Sequence, residues 1–191
     1  MSARRLQAVR QAAPASNDLE TRGAQSDHSD LRLWLRILAF HKLVNNEVRR
    51  RLRDEFDMSL SRFDLLAQLD DAPDGMRMGE ISRRLMVTSG NITGLTDELE
   101  AEGLVERFVD PANRRAFLVR MTAKGEAAFQ AAAAANQIWI EDFFSGLSAR
   151  DKSSMFGLLG RLKDFALIRI ADAAPAAQAV GRAKTRTSGA R

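Results

Sequence analysis

Between Leu31 and Phe56 the apolar residues Leu31, Trp34, Leu35, Leu38, Val44, Val48, Leu52 and Phe56 recur at helical spacing. The spacing predicts one long helix whose stripe exceeds what a small domain covers, so part of it must meet another helix. Ser59 or Ser61 then caps a second helix with apolar Phe63, Leu65, Leu66 and Leu69, ended by Ala72-Pro73-Asp74-Gly75. Ile81 and Leu85 share one face of a short third helix, and Ile92, Leu95 and Leu99 share one face of a fourth, with Met86-Val87 as the turn between them. Thr88 stands at the N-cap of that fourth helix, where its hydroxyl accepts from an unpaired backbone N–H, and Gly103 stands where the chain leaves it through a left-handed residue. The period then changes. LVERFV and AFLVRM are short, rich in branched and aromatic residues, and separated by Asp110-Pro111-Ala112-Asn113-Arg114-Arg115, which predicts a hairpin with a cationic tip.

After Thr122, a further cap, the Ala-rich AAFQAAAAANQIWIEDFF predicts a helix to about Phe144. Ser148-Ala149-Arg150-Asp151 opens a last helix to about Asp172, with Met155, Leu158, Leu159, Leu162, Phe165 and Leu167 apolar. The order of elements is that of a winged helix-turn-helix: a mainly α fold with a small β-hairpin wing, flanked by dimerisation helices. The late helices and the first have more apolar surface than one winged module can cover, and a second copy of the chain is the economical partner. The expected organisation is a flexible N-terminal arm over 1–29, interrupted by Pro14, and a domain over 30–172. Its winged module spans 59–122 and its dimerisation helices 30–57 and 123–172; a disordered basic tail follows over 173–191.

Composition removes several kinds of chemistry. The chain has no cysteine, which excludes thiolate sites and thiol redox switches, and its two histidines, His28 and His41, do not make a transition-metal site. No metal or cofactor is expected. No run of about 18 apolar residues and no apolar signal core are present, so no membrane partner and a cytoplasmic location are expected. The net charge is +4, yet the body of the chain is nearly balanced. The local excess falls at the hairpin, where Arg107, Arg114, Arg115, Arg120 and Lys124 face only Glu106 and Asp110. No Ser/His/Asp set, phosphate-cradling glycine loop or paired carboxylates stand out, which argues against an enzyme.

Helix-turn-helix docking lays the fourth helix in the major groove and leaves a basic ribbon to track phosphates or enter the minor groove. The N-terminal half of that helix is small, polar and uncharged: Ser89, Gly90, Asn91, Thr93 and Gly94. Asn pairs bidentately with adenine, and Thr offers a hydroxyl or a methyl group to thymine. The second half carries Asp97, Glu98, Glu100 and Glu102, which repel phosphate, so entry is expected by the N-terminal end, with its positive dipole. Arg114 and Arg115 are the expected wing contacts, and Arg83, Arg84 and Arg107 complete the DNA-binding set. The alternative is a winged helix used as a protein-interaction or assembly module without sequence-specific DNA binding.

Asp110-Pro111-Ala112-Asn113-Arg114-Arg115, a strand, and Met121-Thr122-Ala123-Lys124-Gly125 match the wing pattern of the MarR family (multiple antibiotic resistance regulators), which the chain resembles from Asp30 to about Asp172. The resemblance implies a homodimer with interlocked terminal helices that binds an inverted-repeat double-stranded DNA operator, most often as a repressor. Two departures stand out. Gly94 and Glu98 lie where the family often has Arg, and Asn113 lies where it usually has the Asp that holds a wing arginine. The resemblance also implies release by a small aromatic or phenolic effector, as an acid or CoA thioester. The run Gly90-Asn91-Ile92-Thr93-Gly94-Leu95 looks like that of regulators of aromatic-compound catabolism. From the residues themselves, Trp34, Arg36, Ile37, Phe40 and His41, with Phe63 on the next helix, would supply an apolar wall, a cation and a switchable donor for a planar anion. The plainer reading makes Trp34 and Phe63 core residues and His41 a surface histidine.

Overall fold

The structure is a computed structural model that describes residues 29–187, with side chains through 172. The expected N-terminal arm, with His28, lies outside the described residues apart from Ser29. Nine elements follow in order: α1 (Ser29–Phe56), α2 (Leu60–Asp70), β1 (Met76–Arg77), α3 (Met78–Leu85), α4 (Ser89–Ala101), β2 (Val105–Asp110), β3 (Asn113–Met121), α5 (Ala123–Phe143) and α6 (Ala149–Thr187). They divide into two compact units, one through Phe143 and one from Phe144 onward.

In the first unit only the C-terminal part of α1 joins the core, through Val48 and Leu52, and its Leu31 and Trp34 stay exposed. The core closes over Leu65, Leu66 and Leu69 of α2, Ile81 of α3, Ile92 and Leu99 of α4, and Phe129, Ala132 and Trp139 of α5. Phe63 packs on Phe129 with ring centroids 5.4 Å apart, and Phe56 meets Trp139 at 6.2 Å. Ser59 is the cap of α2, its hydroxyl accepting from the Arg62 N–H. Gly75 takes φ +91° to close the turn after α2, a conformation that L side chains rarely adopt.

The sheet is antiparallel in the order β1-β3-β2, with Met76 opposite Val119 and Val105 opposite Met121. The two-residue β1 was not anticipated from the sequence. The hairpin turn is also tighter than the sequence suggested: Asp110 and Asn113 already belong to strands, and only Pro111-Ala112 connects them. Asp110 itself is buried at 5% exposure, holding Arg77 of β1 and accepting the Ala112 N–H at 2.8 Å.

In the second unit, Ser148 and Asp151 cap α6 reciprocally. The Asp151 N–H donates to Ser148 Oγ at 3.1 Å, and the Ser148 N–H donates to Asp151 Oδ2 at 3.3 Å. The α6 backbone stays helical to Thr187, past Asp172 where the sequence reading ended it and began a disordered tail. Alanines 173, 174, 176, 177 and 179 are the strongest helix formers, and they flank Pro175. Met155, Leu158, Leu159, Leu162, Phe165 and Leu167 are all exposed on α6, Phe165 at 62%.

Candidate nucleic-acid interface

The α3–α4 turn is built by side chains as well as by chain direction. Met86 adopts φ 55°, and the buried Ser82 hydroxyl donates to the Val87 carbonyl at 2.6 Å while the Val87 N–H returns to the Ser82 carbonyl at 3.1 Å. Thr88 occupies the N-cap of α4 in extended conformation, but its hydroxyl caps nothing. Its carbonyl instead accepts from Asn91 and Ile92. Gly103 leaves the helix at φ 69°, as its position suggested. The buried face of α4 carries Ile92, Thr96 and Leu99, with the Thr96 hydroxyl donating to the Ile92 carbonyl at 2.7 Å. Ser89, Gly90, Asn91, Thr93 and Gly94 are therefore all left exposed. The Thr93 hydroxyl donates to the Ser89 carbonyl at 3.0 Å, so its donor is committed and its methyl remains. A Cβ at Gly90 or Gly94 would meet nothing within 4 Å, which keeps this face bare enough for close approach.

Most of the local cations are engaged by other groups of the chain. Arg107 of β2 reaches back to α4, where its guanidinium pairs with Asp97 and with Glu100 at 2.8 Å, and its backbone N–H donates to Glu100 at 3.1 Å. This neutralises part of the acidic half of the helix and braces it against the ribbon, so in this structure the guanidinium of Arg107, expected among the DNA contacts, is engaged by α4. Arg120 pairs with Glu106 across the strands at 2.6 Å and lies 4.7 Å over the Phe108 ring, and Lys124 donates to the Glu102 carbonyl at 2.7 Å. On α3, Arg84 pairs with Glu80 at 2.6 Å, and Arg83 donates to the Gly79 carbonyl at 3.3 Å. Among the described residues no carboxylate pairs with the guanidinium of Arg114 or Arg115. Asn113 orders this tip by accepting the Arg115 backbone N–H at 3.1 Å, leaving both guanidiniums free.

The candidate effector residues are divided. Phe63 is core, at 9% exposure, whereas Trp34 and Phe40 are exposed on α1, Arg36 and His41 lie on its surface, and Ile37 is half-buried. His41 exchanges a 3.0 Å hydrogen bond with Asn45 one turn on. A wall formed by all six is not what the fold assembles, because Phe63 is already filled against Phe129.

The MarR family model matches residues 58–117, the segment from the approach to α2 through the wing. An uncharacterised HTH-type transcriptional regulator of Bacillus cereus is 26% identical over 123 residues, covering 64% of this chain and 80% of that protein. Among solved structures, CouR from Rhodococcus jostii bound to p-coumaroyl-CoA superposes with a TM-score of 0.63 at 22% identity, over 73% of this chain and 95% of CouR. FabT from Streptococcus pneumoniae in complex with DNA gives 0.62 at 24% identity, over 70% and 94%.

Proposed function

The chain belongs to the MarR family of winged helix-turn-helix transcriptional regulators, and from that premise we propose that it is a homodimeric repressor of an inverted-repeat operator, released by a small aromatic effector. The observation that carries the DNA-binding mode is the charge at the wing: the other described cations of the ribbon are tied to the protein, and Arg114 and Arg115 at its tip are not. Ser89, Asn91 and Thr93 read base edges from the bare N-terminal half of α4, while Arg114 and Arg115 bind phosphates or the minor groove. Homodimerisation is supported by the exposed apolar residues of α1 and α6, which an obligate interface of about 2,000 Å² or more would cover.

The effector half rests on Trp34, Arg36, Ile37, Phe40 and His41 of α1, and on the aryl-CoA bound by CouR. An effector acts only by binding the DNA-incompetent arrangement better than the competent one. A footprint on the DNA upstream of the gene tests the DNA reading. Protection of two half-sites is expected, and its loss when Arg114 and Arg115 are both replaced by Ala; a footprint unchanged by that double replacement would remove the proposed use of the wing, and absence of any specific footprint would favour an assembly module. A screen of aromatic carboxylates, phenols and their CoA thioesters for operator release, repeated with Arg36→Ala and His41→Ala, tests the effector.

A further inference from the structure

Behind the N-terminal half of α4 lies a small cleft between α2, α3 and α4, lined by Ser61, Asp64, Leu85, Val87, Asn91, Ile92 and Leu95. Among the described residues, the side chains of its polar members Ser61, Asp64 and Asn91 make no hydrogen bond or ion pair within the chain, and Ser61 and Asn91 are open to solvent. Asp64 is half-buried, and burial with no neighbouring cation to offset it pushes its carboxyl above the ordinary value. A carboxylate partly removed from water without a partner is costly, and a cation entering the cleft would complete the pairing.

We propose that this cleft binds a primary aliphatic ammonium group, with Asp64 as its ion-pair partner, Ser61 and Asn91 as its hydrogen-bond acceptors and the four apolar residues around its alkyl stem. An ammonium offers three N–H donors, and the cleft offers three side-chain acceptors of which one is anionic. Anions are disfavoured by Asp64. A hard divalent cation wants about six oxygen ligands, and no group of three or more His, Asp or Glu side chains able to hold a metal occurs among the described residues. The volume of about 60 Å³ suits a head group and short chain. It is well below the several hundred Å³ of sites for ring-bearing cofactors. The cleft is thus distinct from the aromatic effector face on α1.

Occupation has a consequence for DNA, and this part rests on the base-reading role proposed above for Asn91. A carboxamide held against a ligand ammonium is withdrawn from adenine, so the amine lowers operator affinity by roughly fivefold or more, the equivalent of losing one bidentate base contact.

Titration of the full-length protein with n-butylammonium chloride at constant ionic strength, followed by ¹⁵N NMR, tests the binding without DNA. Saturable shifts are expected at the Asn91 side-chain amide and the Ser61 and Leu95 backbone amides. They should be absent with butyrate and weakened at least tenfold in Asp64→Asn. Shifts that fail to saturate, that persist unchanged in Asp64→Asn, or that tetramethylammonium reproduces without any N–H donor would overturn the site. Operator affinity is then measured with and without n-butylammonium in wild type and Asp64→Asn. Loss of affinity in the wild type alone supports the regulatory role, and unchanged wild-type affinity under saturating amine overturns it. A protein that binds no operator at all would refute the DNA reading and leave the NMR result standing.

Discussion

Gly125 sits in the first turn of α5, and two effects of opposite sign decide what a methyl group there would do. Alanine is the better helix former by about 1 kcal/mol, so propensity alone predicts that Gly125→Ala stabilises the protein. Packing predicts the reverse. A Cβ at Gly125 would lie 1.9 Å from the Leu104 carbonyl oxygen and 2.8 Å from its carbon. That oxygen is held by the Thr122 N–H at 3.0 Å and the Thr122 hydroxyl at 3.3 Å, and the same hydroxyl oxygen accepts the Gly125 N–H at 3.1 Å. Relief therefore requires α5 to move by more than 1 Å from the start of β2, at the expense of a hydrogen bond of about 1 kcal/mol and overpacking of about 1 to 3 kcal/mol. After the propensity gain, the net loss is about 1 to 3 kcal/mol, or roughly 3 to 10 °C in Tm for a chain of this size. Thermal unfolding by circular dichroism at one fixed protein concentration measures it, since the proposed dimerisation would make Tm concentration-dependent. Gly94→Ala is the control, because its Cβ meets nothing within 4 Å. It should raise stability by about 0.5 to 1 kcal/mol. A Gly125→Ala protein as stable as wild type would refute the close-packing argument.

Arg107→Ala should lower stability by only about 1 kcal/mol, since Asp97 and Glu100 keep 56% and 38% of their side-chain surface exposed, yet weaken operator binding more than tenfold by releasing both carboxylates beside the proposed phosphate contacts; equal operator affinities by fluorescence anisotropy would show that the brace is not needed. The hydrogen bond from Arg77, helped by the Ala112 N–H, holds the Asp110 carboxyl below its ordinary value of 3.8. Its stabilisation is thus present above that value and lost as pH falls through the lower folded value. The Tm deficit of Asp110→Asn should accordingly shrink as pH falls below 3.8, and a deficit independent of pH would mean that the ion pair contributes nothing. Light scattering at micromolar concentration should give the mass of two chains; one chain would leave the apolar faces of α1 and α6 without the proposed partner.

The helices were legible because period and punctuation agree: Ser59 and Thr122 cap, and Gly103 exits, where the apolar repeat says an element begins or ends. Features settled by partners distant in sequence were not legible. The two residues of β1 carry no alternation of their own and become a strand only by pairing with Leu118 and Val119. Thr88 has the residue type of an N-cap, yet the turn is fixed by Ser82 instead. Counting charges along the hairpin overstated its available cations, because the carboxylates that hold Arg107 come from the preceding helix. Asp64 carried only a faint signal, an acid flanked in sequence by the apolar Phe63 and Leu65. Phe63 beside it could be read either as ligand wall or as core, and only its packing on Phe129 separates the two.

The pairing of the ribbon cations within the chain bears on how discrimination would be divided between charge and base reading. Were Arg107, Arg114, Arg115, Arg120 and Lys124 all on phosphates in both subunits, ten contacts would give a salt slope near −9 and a loss of roughly 10⁵ in affinity between 50 and 200 mM salt. If only Arg114 and Arg115 reach phosphates, four contacts give a slope of about −3.6 and a loss of roughly a hundredfold. Sequence-independent attraction falls with the number of phosphates neutralised, and the nearly neutral body of the chain adds little to it. Gly94 and Glu98 supply no guanidinium to compensate. On the proposed reading, discrimination of operator from bulk DNA comes mainly from the bare polar end of α4, where Asn91 is the proposed adenine reader and also lines the Asp64 cleft. A regulator with weak nonspecific attraction is sensitive to the loss of one such contact, because little phosphate binding remains to hold it on DNA once that contact is gone.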